Sequence, residues 1–414
     1  MPETYQPDSP EQLAEIIQWA NANSHPLEIT GSGTKAHLGR PVMADHQVSL
    51  SRFNGIKDYQ PLELVMIAGA GTPLADINKV LDEHQQMLAF EPPYYRMNNP
   101  ENTEVGGTLG GILACNLSGP RRFFAGAARD HLLGFQAVSG RGECFKAGGP
   151  VVKNVTGFDL SKLMTGSWGT LAVLNEVTLK VLPRPEKTRT LLIHNTPTTA
   201  ALTIITAAVQ SAHSVSGAAC LPGSVAAHSR VSRIADGHDT GVVCLRLEGP
   251  EPSVIYRLEA LKILAAKLHP QAEFDQLHST NSLKFWAEVA DLFLIQSQAA
   301  ADESQHLWRL SLPPSNAENV LSKLLVLGVQ DWQLDQAGGS LWVKAPETVA
   351  ATRLRQVLNS CGGHATLWEA PASVRKQSEV FQPQGPALAA LSQRVKTSFD
   401  PNGVLNPGRM YRGM

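Results

Sequence analysis

The sequence predicts an α+β fold with two domains and a C-terminal segment that returns to the first. Three observations support this: helix and strand patterns alternate in the first half, glycine is concentrated between Gly106 and Gly169, and Pro183-Arg184-Pro185 interrupts the chain. A length of 414 residues exceeds one ordinary domain of roughly 150. The predicted domains are residues 1–183 and 184–372, with residues 373–414 packing on the first.

The composition indicates a globular protein and excludes several classes. Hydrophobic residues make up 43%, charged residues 17%, and the net charge of -2 favours neither nucleic acid nor an anionic membrane. Met1 to Pro10 has neither the basic start nor the apolar run of a signal peptide, and no apolar stretch approaches the roughly 20 residues of a membrane span. The expected location is cytoplasmic, or peripheral at the inner membrane through a partner.

Cysteine and histidine spacing predicts no metal site. The five cysteines are odd in number and scattered, with no C-x-x-C, which argues against a disulfide framework, an iron–sulfur cluster or zinc. The thirteen histidines form no H-x-H or H-x-x-x-H pair.

The elements of the first domain follow from apolar periodicity and capping residues. Ser9, Pro10 and Gln12 predict the start of a helix, with Gln12 completing a capping box. Strands are expected at Leu27–Thr30 and Leu64–Ala68, and Thr72-Pro73 opens a helix reaching about His84. A strand over Leu171–Val181 should place Leu171, Val173, Val177, Leu179 and Val181 on one face.

The second domain and the C-terminal segment have different patterns. Val242–Leu247 predicts a strand and Val254–Leu268 a helix, so this region is expected to be α+β. Leu388, Leu391, Val395 and Phe399 then predict an amphipathic helix ending in the turn Asp400-Pro401-Asn402-Gly403.

Glycine-rich turns are the main candidates for ligand binding. Fourteen of the thirty-four glycines lie between Gly106 and Gly169, although each costs about 0.5–1 kcal/mol inside a helix or strand. Gly31-Ser32-Gly33-Thr34-Lys35 follows a strand and could form an anion nest or a simple tight turn. Several such turns around one ligand predict a long, extended cofactor.

A nicotinamide-binding Rossmann site is the competing interpretation. Gly31 to Ala36 matches G-x-G-x-x-A, but His37-Leu38-Gly39-Arg40-Pro41 cannot continue as the required helix. Gly69-Ala70-Gly71 lies between a strand and a helix, with Glu91 about twenty residues on, but Leu74 occupies the position of the third glycine. The Rossmann interpretation is therefore disfavoured.

The order of the motifs resembles a known family. GSGTK, GAGTPL, VGGTLGG, GAARDHLLG, KNVTGFDL, GSWGTLAVLNEVTL and DPNGVLNPGR follow one another as in the vanillyl-alcohol-oxidase-type, or PCMH-type, FAD-binding fold. The resemblance spans nearly the whole chain and is greatest to the E-subunit family of bacterial glycolate oxidases. It implies a two-subdomain FAD-binding domain, a smaller α+β cap domain and FAD as cofactor. Since no histidine lies in a tethering motif, the FAD is expected to be non-covalent.

The resemblance also implies roles for individual residues. Gly31 to Lys35 would hold the pyrophosphate, and Asn406 and Arg409 would return the C-terminus to the FAD domain. Asp159 could equally cap a short helix, and Trp168 could be ordinary packing rather than a flavin stack. The full set implied to bind the cofactor is Gly31, Ser32, Gly33, Thr34, Lys35, Gly71, Gly106, Gly107, Thr108, Gly111, Asn154, Asp159, Gly166, Gly169, Thr170, Val173, Asn406 and Arg409.

The candidate catalytic residues are fewer. Similar flavoproteins that oxidise D-2-hydroxy acids carry H-x-G-D-G-N-x-H in the second domain, whereas Asp335 to Trp342 has glycines there but no histidine. His364 is the remaining candidate for the base. Three hypotheses follow: an FAD subunit of a glycolate oxidase with a second FAD-containing catalytic subunit and an iron–sulfur subunit, a stand-alone D-2-hydroxyacid dehydrogenase, or a subunit whose FAD is structural.

Overall fold

The computed structural model describes residues 3–94, 106–150, 157–236, 241–296 and 304–414. Its strands are β1 (Glu3–Tyr5), β2 (Leu27–Thr30), β3 (His46–Ser49), β4 (Ile56–Gln60), β5 (Val65–Gly69), β6 (Gln86–Met87), β7 (Leu132–Ser139), β8 (Cys144–Gly148), β9 (Ala172–Lys180), β10 (Leu182–Pro183), β11 (Lys187–His194), β12 (Gly217–Leu221), β13 (Val242–Gly249), β14 (Glu273–Leu277), β15 (Gln305–Ser311), β16 (Trp332–Asp335), β17 (Ser340–Pro346) and β18 (His364–Glu369).

The helices accompany sheets that are mainly antiparallel, as is typical of an α+β fold. They are α1 (Pro10–Asn23), α2 (Leu74–Glu83), α3 (Leu109–Ala114), α4 (Arg122–Ala125), α5 (Ala128–His131), α6 (Leu160–Met164), α7 (Thr198–Gln210), α8 (Gly223–Ala226), α9 (Ser232–Ala235), α10 (Glu251–Leu268), α11 (Ser279–Ala290), α12 (Phe293–Gln296), α13 (Ala317–Val326), α14 (Ala351–Leu358), α15 (Ala372–Gln377) and α16 (Pro386–Phe399). None of the helices in the described ranges is long and apolar enough to cross a membrane.

The chain divides into two compact units. The first comprises Met1–Ser118, Gly126–Arg184 and Arg375–Met414, and the second comprises Gly119–Ala125 and Pro185–Val374. Each unit is therefore built from pieces that are distant in sequence. The short piece Gly119–Ala125 is fixed in the second unit by Arg121, whose guanidinium lies 2.9 Å from the buried carboxylate of Glu248.

The first unit contains two principal sheets. Strands β1, β3 and β2 form a parallel sheet, and β4, β5, β9, β7 and β8 form an antiparallel sheet in that order. β9 is central, with β5 on one side and β7 on the other. It buries Leu174 and Thr178 as well as the predicted Val173, Val177 and Leu179, so the expectation of a single apolar face was too narrow.

A core cluster connects the beginning and the end of the chain. Leu13 and Ile17 of α1 pack with Val173 of β9 and with Val404 and Leu405. Ser9 accepts a hydrogen bond from the backbone N–H of Gln12, which confirms the predicted cap. The capping box is only half formed, because the Gln12 side chain accepts from the backbone of Asp8 instead of Ser9.

The second unit is built on one antiparallel sheet of eight strands, in the order β14, β11, β13, β12, β16, β17, β15 and β18. The predicted strand Val242–Leu247 and helix Val254–Leu268 are present as β13 and α10, each slightly longer than expected. The centre of the sheet is partly polar. Arg246 on β13 is fully buried, with its guanidinium 4.6 Å from the ring of Trp286.

The C-terminal helix α16 agrees only in part with the expected apolar face. It ends before Asp400 as predicted, and the ring of Phe399 contacts Phe145, but Leu388 and Leu391 are exposed, and the side chain that it buries is Lys396. The Lys396 ammonium donates to the Asp400 carboxylate (2.5 Å) and to the carbonyl oxygens of Thr170 (2.7 Å) and Leu405 (3.1 Å). Apolar periodicity predicted the helix, whereas a buried ion pair at its last turn determines which side faces inward.

This ion pair should contribute strongly to stability. Lys396→Met leaves the Asp400 carboxylate buried without its cation, and such a loss costs about 3–5 kcal/mol. We expect a large decrease in the urea midpoint of the protein with FAD in excess. The control is Lys162→Met, which removes an ion pair of the same 2.5 Å length whose side chains are 51% and 53% exposed, and should cost at most about 1 kcal/mol. Equal effects of the two substitutions would contradict the assignment.

Candidate cofactor cleft

A cleft in the first unit lies where the glycine-rich turns converge. It encloses about 870 Å³, counted together with its solvent-open part. Its walls come from the end of β2 and the following turn, the start of α3, the turn before β9, β9 itself and the C-terminal segment. The predicted residues that the fold brings together here are Gly31, Ser32, Gly33, Thr34, Lys35, Thr108, Gly111, Gly169, Val173, Asn406 and Arg409.

The first glycine turn packs directly on the second. A Cβ atom at Gly31 would lie 2.2 Å from Oγ1 of Thr108, so a side chain at this position would displace the start of α3. Gly107, just before that helix, lies against the Lys35 ammonium and the Thr34 hydroxyl. Residues about 75 positions apart thus form one continuous glycine-lined wall. No regular helix follows the first turn, which disfavours the Rossmann interpretation.

Lys35 brings a buried positive charge to this wall. The residue is 8% exposed, and its ammonium donates a 2.8 Å hydrogen bond to the Thr34 hydroxyl. Burial lowers the pKa of Lys35 to about 8, partly opposed by the nearby Cys115 thiol. Desolvation of a cation without a carboxylate close by costs free energy, which an anionic ligand would recover.

Further cations lie near this turn. Burial lowers the pKa of His37 to about 4, with further lowering by the charges of Arg375, Lys35 and Arg409. Arg409 is also buried, and desolvation lowers the pKa of its guanidinium. These cations surround a short backbone segment in a protein whose net charge is only -2.

The C-terminal segment completes the cleft with two predicted residues. Arg409 donates to the carbonyl oxygens of Lys35 (2.8 Å) and Arg40 (3.3 Å). Asn406 accepts from the backbone N–H of Ile29 (2.8 Å) and donates to the carbonyl oxygen of Trp168 (2.9 Å).

Trp168 itself is packed in the turn before β9. It is 8% exposed, with its ring centroid 5.1 Å from that of Phe381 in an edge-to-face arrangement. This contact favours a packing role for the indole, although the residue also lines the cleft.

The other predicted residues do not line the cleft. Asp159 caps α6 by accepting from the Lys162 backbone, which agrees with the capping alternative. Gly71 lies against the Leu50 carbonyl and Gly106 against the Tyr94 ring. The residues of the predicted set outside the lining are Gly71, Gly106, Gly107, Asp159, Gly166 and Thr170, and Asn154 lies outside the described residues.

Several lining residues were not predicted. Glu28 and Ile29 belong to β2, Cys115 ends α3, and Met164 and Ser167 precede β9. Alternation along β2 could have indicated Glu28, since its side chain is directed away from the buried Leu27. The others carry no sequence signal, because their proximity depends on how distant turns pack.

The catalytic candidates belong to the second unit. His364 begins β18, and burial, followed by the charges of Arg309 and Arg122, lowers the pKa of its imidazole. The segment Asp335 to Trp342 crosses from β16 through a tight turn into β17. Within the described ranges, no three His, Cys, Asp or Glu side chains are grouped so that they could hold a metal ion.

The cleft is chemically suited to a long ligand with an anionic centre. Gly31 to Lys35 offers backbone donors beside a buried ammonium, while Ala114, Met164 and Val173 provide apolar surface. The combination of close glycine packing, buried cations and apolar walls fits the diphosphate and ring systems of FAD.

Comparison with known proteins agrees with this chemistry. Residues 3–148 match the FAD binding domain family. The chain is 33% identical to glycolate oxidase subunit GlcE of Escherichia coli (strain K12), over 98% of both proteins. It is 27% identical to glycolate oxidase subunit GlcD of Bacillus subtilis (strain 168), over 45% of this chain and 38% of that protein.

The fold has close structural neighbours. p-Cresol methylhydroxylase aligns with a TM-score of 0.71 and 13% identity, covering 98% of this chain and 88% of the other. This likeness confirms the predicted PCMH-type α+β fold, and the sequence matches confirm FAD as the cofactor. With similarity extending along both full lengths, the chain belongs to the GlcE family of FAD-binding glycolate oxidase subunits.

Proposed function

We propose that this chain is the FAD-binding subunit of a multi-subunit glycolate oxidase, in which glycolate is oxidised to glyoxylate and electrons pass to an iron–sulfur subunit. The observation that carries the proposal is the 33% identity to GlcE over 98% of each protein. The similarity to GlcD supports a second flavin subunit as partner. GlcD is also named a glycolate oxidase subunit, and 45% of this chain aligns with it, so two different subunits of such an enzyme would share an FAD-binding region.

Different residues of the cleft would bind different parts of a non-covalently held FAD. The backbone N–H groups of Gly31 to Lys35 and the Lys35 ammonium would hold the pyrophosphate, with Thr108 and Gly111 at the start of α3 beside this turn. Val173 and Gly169 would hold the remaining parts of the cofactor. When bound, FAD supplies a two-electron acceptor.

Substrate oxidation requires a further group. Oxidation of a 2-hydroxy acid removes a hydride from carbon and a proton from the hydroxyl, so a base must stand near the reacting atoms. His364, whose lowered pKa keeps its imidazole neutral at pH 7, is the candidate in this chain. The segment Asp335 to Trp342 lacks the histidines of similar 2-hydroxyacid dehydrogenases. We therefore assign the oxidation of glycolate to the partner flavin subunit.

The charge on Lys35 should make FAD affinity depend on pH. Lys35 in the FAD-free protein has a pKa of about 8, and a bound diphosphate favours its ammonium form. Binding therefore takes up a proton above pH 8. The Kd for FAD, measured by flavin fluorescence, should be constant from pH 6.5 to 7.5. Above pH 8 the Kd should rise, with a slope that approaches about tenfold per pH unit.

Two variants isolate this effect. Lys35→Met should raise the Kd for FAD at pH 7 by about ten- to a hundredfold, because one charge-assisted hydrogen bond to the cofactor is lost. The same substitution should abolish the rise of the Kd above pH 8. The control Lys79→Met removes an exposed lysine of α2 and should retain the wild-type profile. A wild-type profile that stays flat to pH 9.5 would contradict a role for Lys35.

The division of labour predicts that the isolated chain does not oxidise substrate. Glycolate added anaerobically to the purified, FAD-loaded chain should leave the flavin absorbance unchanged, whereas the co-purified complex should bleach. If the isolated chain bleaches and His364→Gln prevents it, the stand-alone dehydrogenase hypothesis is favoured instead. If only one of two flavins in the complex ever bleaches, the FAD of this subunit is structural.

A further inference from the structure

Asn406 connects the two walls of the cleft through a single side chain. Its carbonyl oxygen accepts from the Ile29 backbone on β2, and its amide nitrogen donates to the Trp168 carbonyl in the turn before β9. Its backbone N–H also donates to the Leu27 carbonyl (3.0 Å). Both ends of the Asn406 amide are thus engaged by protein atoms, so its effect on a ligand is transmitted through the walls that it joins.

The local backbone is adapted to this connection. A Cβ atom at position 169 would lie 2.7 Å from the Asn406 amide nitrogen, so Gly169 leaves the space in which the side chain reaches Trp168. Asn406 itself has a φ of 44°, in the left-handed region that asparagine tolerates better than most residues. Gly169, predicted as a cofactor contact, thus also has a structural task at the cleft wall.

Arg409 fixes the other end of the glycine turn. Its guanidinium donates to the Lys35 carbonyl, and its own carbonyl accepts from the Arg40 backbone (3.0 Å). Ile29 and Lys35 bracket Gly31 to Thr34, so residues 406 and 409 hold both ends of the turn that lines the cleft.

The segment is anchored below the cleft by Asp400. The buried carboxylate accepts from the backbone N–H groups of Val404 (3.1 Å) and Leu405 (2.9 Å), and the backbone of Leu27 donates to the Val404 carbonyl (2.8 Å). The C-terminal segment therefore adds hydrogen bonds to β2 at the edge of the sheet.

We infer that residues 400–409 act as a clasp that holds the FAD cleft in its binding shape, with Asn406 as a positioning residue. The inference rests on FAD binding in this cleft and not on the reaction catalysed. Because the clasp supports both walls, its order and FAD occupancy are coupled: a disordered clasp weakens FAD binding, and bound FAD protects the clasp from opening.

Asn406→Gly tests the positioning role directly. Glycine retains the left-handed backbone and removes both side-chain hydrogen bonds. We expect the FAD Kd to rise about tenfold. The matched control is Asn402→Ala, which removes an exposed asparagine hydrogen bond of the same segment, 3.0 Å from Asn402 to Asn21, and should change the Kd less than twofold. A wild-type Kd in Asn406→Gly, with or without a lower melting temperature, would overturn the inference.

Hydrogen exchange of the wild-type protein gives a second, mutation-free test. Saturating FAD should slow amide exchange of residues 404–409 together with that of residues 29–35. If exchange at residues 404–409 is the same with and without FAD, the clasp is not coupled to the cofactor. An FAD titration of the same sample distinguishes the two proposals. FAD binding with unchanged exchange at residues 404–409 contradicts the clasp alone, whereas wild-type protein that binds no FAD contradicts the cofactor assignment on which the clasp rests.

Discussion

The buried ion pair between Lys396 and Asp400 is the interaction on which the cofactor cleft depends. A charged pair with almost no solvent exposure is favourable only when its remaining donors and acceptors are satisfied. The carbonyls of Thr170 and Leu405 do this for the ammonium, and the backbone N–H groups of Val404 and Leu405 do it for the carboxylate. Satisfying the pair therefore places the last residues of the chain beside β2 and the turn before β9.

This arrangement explains how a binding site can be assembled from segments that are distant in sequence. The glycine turn at Gly31 has no rigid helix behind it, unlike the phosphate turn of a Rossmann fold. Its rigidity comes from neighbours: Thr108 packs against Gly31, and Arg409 holds the Lys35 carbonyl. Where a Rossmann fold has a helix N-terminus, this fold has a turn that is held by its neighbours, and the buried cations Lys35 and Arg409 lie beside it.

The sequence predicted the elements better than the contacts between them. β2 and the start of α1 were predicted to the residue, because alternation and helix capping are local properties. The cleft was predicted in outline, since glycine density reports where backbone must pack closely. Gly71 and Asp159 show the limit of the sequence. Gly71 packs against the Leu50 carbonyl and Asp159 caps α6, and nothing in the sequence distinguishes these structural roles from ligand binding. Leu388 and Leu391 show it again, because periodicity cannot foresee that a buried lysine will set the orientation of α16.

The residues of this chain are better suited to binding FAD than to oxidising glycolate. Binding FAD needs close backbone approach and positive charge, and the cleft of the first unit offers closely packed residues at Gly31 and Thr108 and a buried ammonium at Lys35. Oxidising glycolate needs a base placed within hydrogen-bond reach of a hydroxyl proton. The second unit has a buried, polar sheet centre around Arg246, and His364, the candidate base from the sequence, is the first residue of β18. In the complex proposed above, a partner chain would supply the base, and electrons would move between the cofactors.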